Sequence, residues 1–446
     1  MTQKISSRRA PGPGAITCIN YGVGFMRAPL AALESASRRY GPIVRFGNGA
    51  HCLHLIYKPQ HVQHILIDNN KNYEKFSPFG LLKLLFGNGL LFNEGPSWFS
   101  QRRLLQPSFQ PRQMAAMGDG ISDAVHEIVD SWPRLEGEET QIEDGMAQLA
   151  RRVIGQLLFG TELPSDLDIV LEAGGSKLTF MMGNVSGTPQ NVAYKAAMKS
   201  VDDAVYGIIN ARRANPDVAP DMLGALMNAV DKETGETMSD VQLRDEIVTL
   251  LFSGFDTTSR TLTWAFHALA ENPHVEAALH EELDRVLGGR EPRYDDIANL
   301  PYTVMLIKET MRVFPANAII GRRAKDDDVI DGYFIPAGSL LTLSPYLAQR
   351  SAQNWDSPLD FDPLRFTPER EKEIHKFAYF PFGGGPRQCI GKGLAMITMP
   401  LAVATIAQRY RYASVPEHEI QHDIKVTFQS RNGIRARRHL RPSHNA

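Results

Sequence analysis

Residues 382–391 read Phe382-Gly383-Gly384-Gly385-Pro386-Arg387-Gln388-Cys389-Ile390-Gly391. Most lone cysteines are small buried hydrophobes. This one follows a glycine run that lets backbone approach a flat ligand closely and permits turns closed to other residues. An apolar helix is expected from Lys392 onward, and the amides at a helix N-terminus favour an anionic sulfur. Arg387 adds a cation two residues away, so Cys389 is a candidate thiolate ligand. Other chemistries fail on spacing. A Walker loop needs four residues between its glycine and a Gly-Lys followed by Ser or Thr; five separate Gly385 from Gly391, and Gly393 follows Lys392. The dinucleotide fingerprint fails because Gln388 stands where its third glycine belongs. No second Cys or His lies nearby at zinc-ligand spacing.

Working outward, the run Leu394–Ala407 is apolar but short and holds Pro400, so it reads as a buried helix. Upstream, Pro345–Pro381 is rich in Pro, Asp and aromatic residues with little periodicity, and so long an irregular stretch implies a functional reason. Val329–Ile335 and Leu340–Leu343 read as strands, with Pro336-Ala337-Gly338 between them. A helix is predicted over Tyr302–Phe314, stopping before Pro315. The pattern from Trp98 to Ala316 is mostly helical. Its longest helix is Ser239–Asn272, capped by Ser239, with Asp240, Asp245 and Glu246 near its positive end. The middle of that helix, Ile247–Phe255, is too apolar to face water on any side. Near the start, Ile43–Phe46 and Leu53–Tyr57 read as strands, the first ending in the turn Gly47-Asn48-Gly49. The expected fold is mainly α with a small β part. Residues 1–15 form a flexible N-terminal segment and 16–446 a single large domain.

The 446 residues carry 48 Lys plus Arg against 50 Asp plus Glu, which calls for no nucleic-acid partner. Three cysteines, Cys18, Cys52 and Cys389, are too few and too scattered for a disulfide framework and fit a reducing compartment. No run reaches the ~18–20 apolar residues of a membrane span. Arg8–Arg9 match an export signal's arginine pair, yet no apolar core follows. The chain is expected in the cytoplasm.

Phe382–Gly391 is similar to the cysteine-ligand loop of the cytochrome P450 family, Phe-x-x-Gly-x-Arg-x-Cys-x-Gly, at every defined position. The resemblance implies the cytochrome P450 fold and haem b (iron protoporphyrin IX). It makes Cys389 the axial metal ligand, packs Phe382 against the ligand side of the haem, and pairs Arg387 with a propionate. Thiolate ligation favours O–O cleavage, which is oxygenase chemistry. Three further motifs extend the likeness from about residue 40 to the C-terminus. Glu309-Thr310-Met311-Arg312 would ordinarily be a surface pair worth ~0.2–0.5 kcal/mol. With Pro363-Leu364-Arg365-Phe366 it resembles the family's buried Glu-x-x-Arg plus Arg anchor, with Leu364 replacing the usual Glu. Trp98 and Arg102, one helical turn apart, resemble the family's propionate-binding Trp-x-x-x-Arg. Arg322 occupies a further propionate position, with Arg323 beside it as the competing choice.

Ser253-Gly254-Phe255-Asp256-Thr257-Thr258 has two readings. Read as an ordinary helix, Thr257 bonds back to the carbonyl of residue 253 and Gly254 leaves room. It also resembles the family's oxygen-binding helix, with Ser253 in place of Ala. That likeness implies that Gly254 makes space for dioxygen, Thr257 positions a water and Asp256 feeds protons inward. Oxygen activation requires this, because two protons must arrive before the O–O bond breaks.

The expected activity is therefore insertion of one oxygen atom of O2 into an apolar small molecule such as a terpenoid, a fatty-acid-like chain or a polyketide. Desaturation or oxidative coupling is the alternative, and a non-catalytic haem sensor the rival of another class. By analogy the substrate faces Ser77–Phe92, parts of Leu171–Asn191, Phe252, Phe255, Ala316–Ile320 and the turn near Phe428–Asn432. No flavin or nicotinamide fingerprint occurs, so electrons are expected from a separate ferredoxin or flavodoxin with its reductase. Arg102, Arg103, Arg350, Lys376 and Lys392 are the candidate docking cations.

Overall fold

The computed structural model describes residues 8–48, 52–76, 83–134, 136–160, 162–167, 189–215 and 221–441. The chain divides into two units, each built from three segments: Met1–Pro78, Lys308–Cys389 and Gln421–Arg431 in the first, and Phe79–Ile307, Ile390–Ile420 and Asn432–Ala446 in the second.

The first unit is built on a five-stranded sheet ordered Ile43–Phe46, Leu53–Ile56, Leu340–Leu343, Ile320–Ala324, Tyr73–Lys75. The first two strands pair antiparallel from Ile43 opposite Ile56 to Phe46 opposite Leu53, as expected of two strand-like runs joined by a turn. Gly49 of the turn read between them lies outside the described residues. The run 329–335, read as one strand, is two: Asp328–Ile330 and Tyr333–Ile335 pair antiparallel. Asp331 (φ 51°) and Gly332 (φ 79°) form the turn between them, and two successive positive φ values are what a two-residue hairpin turn requires. Arg8–Arg9 run parallel to Tyr333–Phe334, and the Arg45 amide donates to the Pro11 carbonyl at 2.8 Å. Residues 8–11 of the segment expected to be flexible are thus tied to strands.

The second unit is helical, with one three-stranded sheet formed by Tyr410–Ser414, Arg435–Leu440 and Glu138–Gln141. Its spine is the helix Asp240–Glu271, 32 residues long, packed along the helix Ile142–Phe159. Ser239 caps it as predicted. Its hydroxyl accepts from the Gln242 amide while the Gln242 side chain accepts from the Ser239 amide at 2.9 Å, a reciprocal capping box. Every residue from Leu243 to Phe252 is buried, whereas Ser253, Gly254 and Phe255, the end of the apolar run, are half-buried. The helix Lys392–Arg409 carries Pro400 in its interior and is buried throughout 397–407. Among the described residues no helix is long and apolar enough to cross a membrane.

Candidate active site

In the first unit, the loop 382–389 is held by its own backbone: the Cys389 amide donates to the Phe382 carbonyl at 3.0 Å. Gly383 (φ 68°) and Gly385 (φ 69°) occupy the left-handed region, where a side chain would strain the turn. Two of the glycines also let the backbone approach protein closely. A Cβ on Gly384 would lie 2.6 Å from the Phe377 ring, and one on Gly385 would fall on the Leu66 carbonyl. These glycines let the loop nest against its own unit, which fixes where residue 389 stands. Cys389 is exposed and outside any disulfide, and Phe382 and Arg387 are half-buried. The helix Lys392–Arg409 begins three residues on, as read from sequence.

Arg322 and Arg323 are separated by strand alternation. Arg322 is buried at 6% exposure, whereas Arg323 reaches outward to Glu74 at 3.6 Å and lies over the Phe76 ring. Behind the loop, Glu309, Arg312 and Arg365 form the buried anchor that sequence proposed. Arg312 donates to both Glu309 oxygens at 2.7 Å, and Arg365 Nε stands 3.4 Å from Glu309 Oε1. Sequence reading missed Gln349. Its amide donates to the carbonyls of Met311 and Arg312, and its oxygen accepts from the Phe380 amide at 3.1 Å. A neutral side chain inside an irregular stretch has no periodicity to betray it.

In the second unit, the long helix carries Gly254, Asp256 and Thr257. The Thr257 hydroxyl donates to the Ser253 carbonyl at 2.7 Å, so the ordinary helix reading of that residue is realised. Its hydrogen is committed to the backbone, and its oxygen remains an acceptor. Ser253 bonds to Thr249 and Thr261 to Thr257 in the same way, a stripe of back-bonded hydroxyls every four residues. Gly254 makes room for protein: a Cβ there would lie 2.7 Å from Ile154 Cδ1. Asp256 is buried and its Oδ1 faces Arg260 Nε at 3.4 Å. Arg260 escaped sequence reading, although its spacing of four residues from Asp256 was the available signal. Trp98 (buried) and Arg102 (half-buried) sit one turn apart on the helix Gly95–Leu105.

A lone cysteine sulfur can hold a metal only if a cofactor supplies the remaining ligands, since among the described residues no three His, Cys, Asp or Glu side chains gather around one point. A cysteine on a loop pinned by its own backbone bond, close in sequence to a helix start and two residues from a cation, fits a haem iron ligand. The cytochrome P450 family model matches residues 11–432. The chain belongs to the cytochrome P450 family. This P450 is 33% identical over 426 residues to cyclooctatin synthase of Streptomyces melanosporofaciens, covering 93% of this chain and 92% of that protein. It is 31% identical to cyclooctat-9-en-7-ol 5-monooxygenase of the same organism (91% and 89% covered) and 28% identical to pentalenene oxygenase of Streptomyces avermitilis (95% and 96%). The haem domain of cytochrome P450DA superposes with a TM-score of 0.88 at 25% identity, covering 98% of this chain and 99% of that one. The fold is thus the expected one, the cofactor is a haem, and the protein is a monooxygenase that uses O2, a substrate and electrons from a redox partner.

Two of the five candidate docking cations are not free surface charges. Arg103 is paired with the buried carboxylate of Asp231 at 2.7 Å and with Glu233 at 3.1 Å. Arg350 donates to the Val313 carbonyl at 2.6 and 2.9 Å and lies 4.5 Å from the Tyr346 ring centre. Lys376 and Lys392 are exposed. Residues 77–82 and 171–188 of the expected substrate-facing segments lie outside the described residues. Phe252 is buried and Phe255 half-buried, while the Phe428 amide donates to the Ala316 carbonyl at 2.8 Å.

Proposed function

We propose that this P450 hydroxylates or epoxidises an apolar terpenoid-class substrate, with haem b bound through Cys389. The observation that carries the substrate class is the activity of two relatives: a 5-monooxygenase acting on cyclooctat-9-en-7-ol, and a pentalenene oxygenase, each aligned over nearly its whole length. The apolar character of Phe86, Phe252 and Phe255 agrees with it.

Thiolate-ligated haem supplies activation of dioxygen. The chain's own residues do the rest. Phe382 packs beside the sulfur, and the propionates fall to Trp98, Arg102, Arg322 and Arg387. Asp256, buried and kept company by Arg260, relays protons along the long helix. Thr257, whose hydrogen is taken by Ser253, accepts a hydrogen bond from the incoming water and so orients it. We assign Gly254 the role of letting the helix sit close to Ile154 while keeping its exposed side clear. Electrons come from a ferredoxin or flavodoxin with its reductase, docked at Lys376 and Lys392, and the protein works in the cytoplasm.

The test is turnover of a terpenoid hydrocarbon panel with a ferredoxin system under isotopically labelled dioxygen. A product carrying one labelled oxygen is the expected result. Loss of two hydrogens with no label would favour the desaturation or coupling reading, and turnover confined to charged, hydrophilic compounds would overturn the substrate class.

A further inference from the structure

We propose that Arg244, Asp245 and Glu246 clamp the segment 85–93 onto the long helix, and that this clamp, with Glu246 as its positioning residue, decides which apolar substrates are accepted. The inference rests on the reading of this chain as an oxygenase of apolar substrates.

Three consecutive helical residues point about 100° apart, so one face cannot present them all. Here all three are nonetheless buried, and each holds a different backbone group of one short segment. Arg244 Nη1 donates to the Leu85 carbonyl at 2.7 Å. Asp245 Oδ2 accepts from the Asn88 amide at 2.8 Å, and Glu246 Oε2 from the Leu90 amide at 3.0 Å. Arg244 also pairs with Asp202 at 2.7 Å and with Asp245 at 3.1 Å, which offsets the acidic charge. The segment is shaped for the fit. A side chain on Gly89 would fall on the Thr249 hydroxyl and the Asp245 carbonyl, and one on Gly87 on the Asp245 carboxylate. On the other side Gln101 donates to the Asn88 carbonyl at 2.8 Å and accepts from Asn93 at 2.6 Å.

What the clamp holds is an aromatic cluster. Phe86 stacks on Phe92 at 5.4 Å and tilts against Phe252 at 5.0 Å. Phe252 precedes Thr257 by five residues, about 7.5 Å along the helix axis. The clamp therefore fixes a buried apolar cluster that includes Phe252, about one turn before Asp256 on the same helix. A leucine at 246 would pack with no desolvation cost but would leave the Leu90 N–H without an acceptor. Burial pushes the Glu246 carboxyl up to about 8, so near neutral pH it is a neutral acid. Its second oxygen has no hydrogen-bond partner among the described residues. The Leu90 bond needs only a neutral carbonyl oxygen, which glutamine also provides.

The test uses the haem-loaded full chain near pH 7, with imidazole as the small iron-binding probe and phenylimidazole as the bulky one. Glu246→Ala should weaken phenylimidazole binding about tenfold, leave imidazole within about twofold, and speed amide exchange in 85–93 about tenfold. Glu246→Gln should restore both readouts. Gly89→Ala displaces the segment without touching the carboxyl and should reproduce the alanine effect even if Glu246→Ala fails to load haem. Unchanged phenylimidazole binding in Gly89→Ala, or a Glu246→Gln chain as disturbed as Glu246→Ala, would overturn the clamp. Failure of the oxygenase reading shows separately, as a parent chain that lacks the thiolate carbon monoxide band.

Discussion

Arg312 grips Glu309 with two parallel hydrogen bonds of 2.7 Å, and neither side chain has any exposed surface. The remaining Arg312 donors reach the carbonyls of Gln349, Pro358 and Asp360 at 2.7–2.9 Å, while Arg365 serves Asp356 and Ser357. A guanidinium offers five donors in a rigid fork, so two arginines can order a stretch that has no regular hydrogen bonding of its own. This is the reason for the irregular segment before the cysteine loop. Removing one partner strands the other as a buried charge. Glu309→Ala should destabilise the protein by about 3–5 kcal/mol and yield little haem-loaded chain. Thermal unfolding and the haem-to-protein ratio check this, and a variant that melts with the parent would contradict it.

In the proposed mechanism Thr257 and Asp256 divide one task. With its hydrogen given to Ser253, Thr257 can only accept, so a methyl there removes the orienting oxygen. Thr257→Ala should still consume electrons and oxygen but release most of them as hydrogen peroxide, with product per electron falling about tenfold; Thr257→Ser should restore the ratio. Asp256→Asn should slow product formation about a hundredfold, because an amide cannot relay a proton.

Burial raises Glu246 from an ordinary 4.5 to about 8, against the hydrogen bond from Leu90 and with a small push from Asp245. The folded chain therefore holds a proton that the unfolded chain has released, and stability falls as pH rises between those two values. Glu246→Gln carries no such proton. Its melting temperature should gain on the parent from about pH 5 to about pH 8, by the equivalent of a few kcal/mol at most. A constant difference across that range would place the Glu246 pKa near its ordinary value.

Arg322 lies inward on its strand and Arg323 outward, paired with Glu74. Arg322→Ala should speed haem loss to an acceptor apoprotein by about tenfold, as expected for loss of one charge-assisted contact, and Arg323→Ala should leave it within about twofold. Equal effects would remove the distinction that strand alternation makes.

Much of this was legible in the residues. Ser239 with its apolar run announced the long helix, and the runs Ile43–Phe46 and Leu53–Tyr57 with the turn Gly47-Asn48-Gly49 announced the first strand pair. The motif around Cys389 announced the chemistry. What escaped reading depends on partners distant in sequence. Arg103 looks like a free surface charge until Asp231 is seen beside it, 128 residues away, and Arg350 like another until the Val313 carbonyl is. Glu246 reads as a favourable charge near a helix start, yet it is buried under a segment more than 150 residues earlier. The Asp331-Gly332 turn is visible in the residues as an Asp-Gly pair, the commonest two-residue hairpin signal.

The ligand to iron is the claim on which the active-site assignment depends. Purified protein, reduced and exposed to carbon monoxide, should give the strongly red-shifted Soret band of thiolate ligation, and Cys389→His should lose it while keeping haem. A parent chain without that band, or a Cys389→His chain that retains it, would contradict the account.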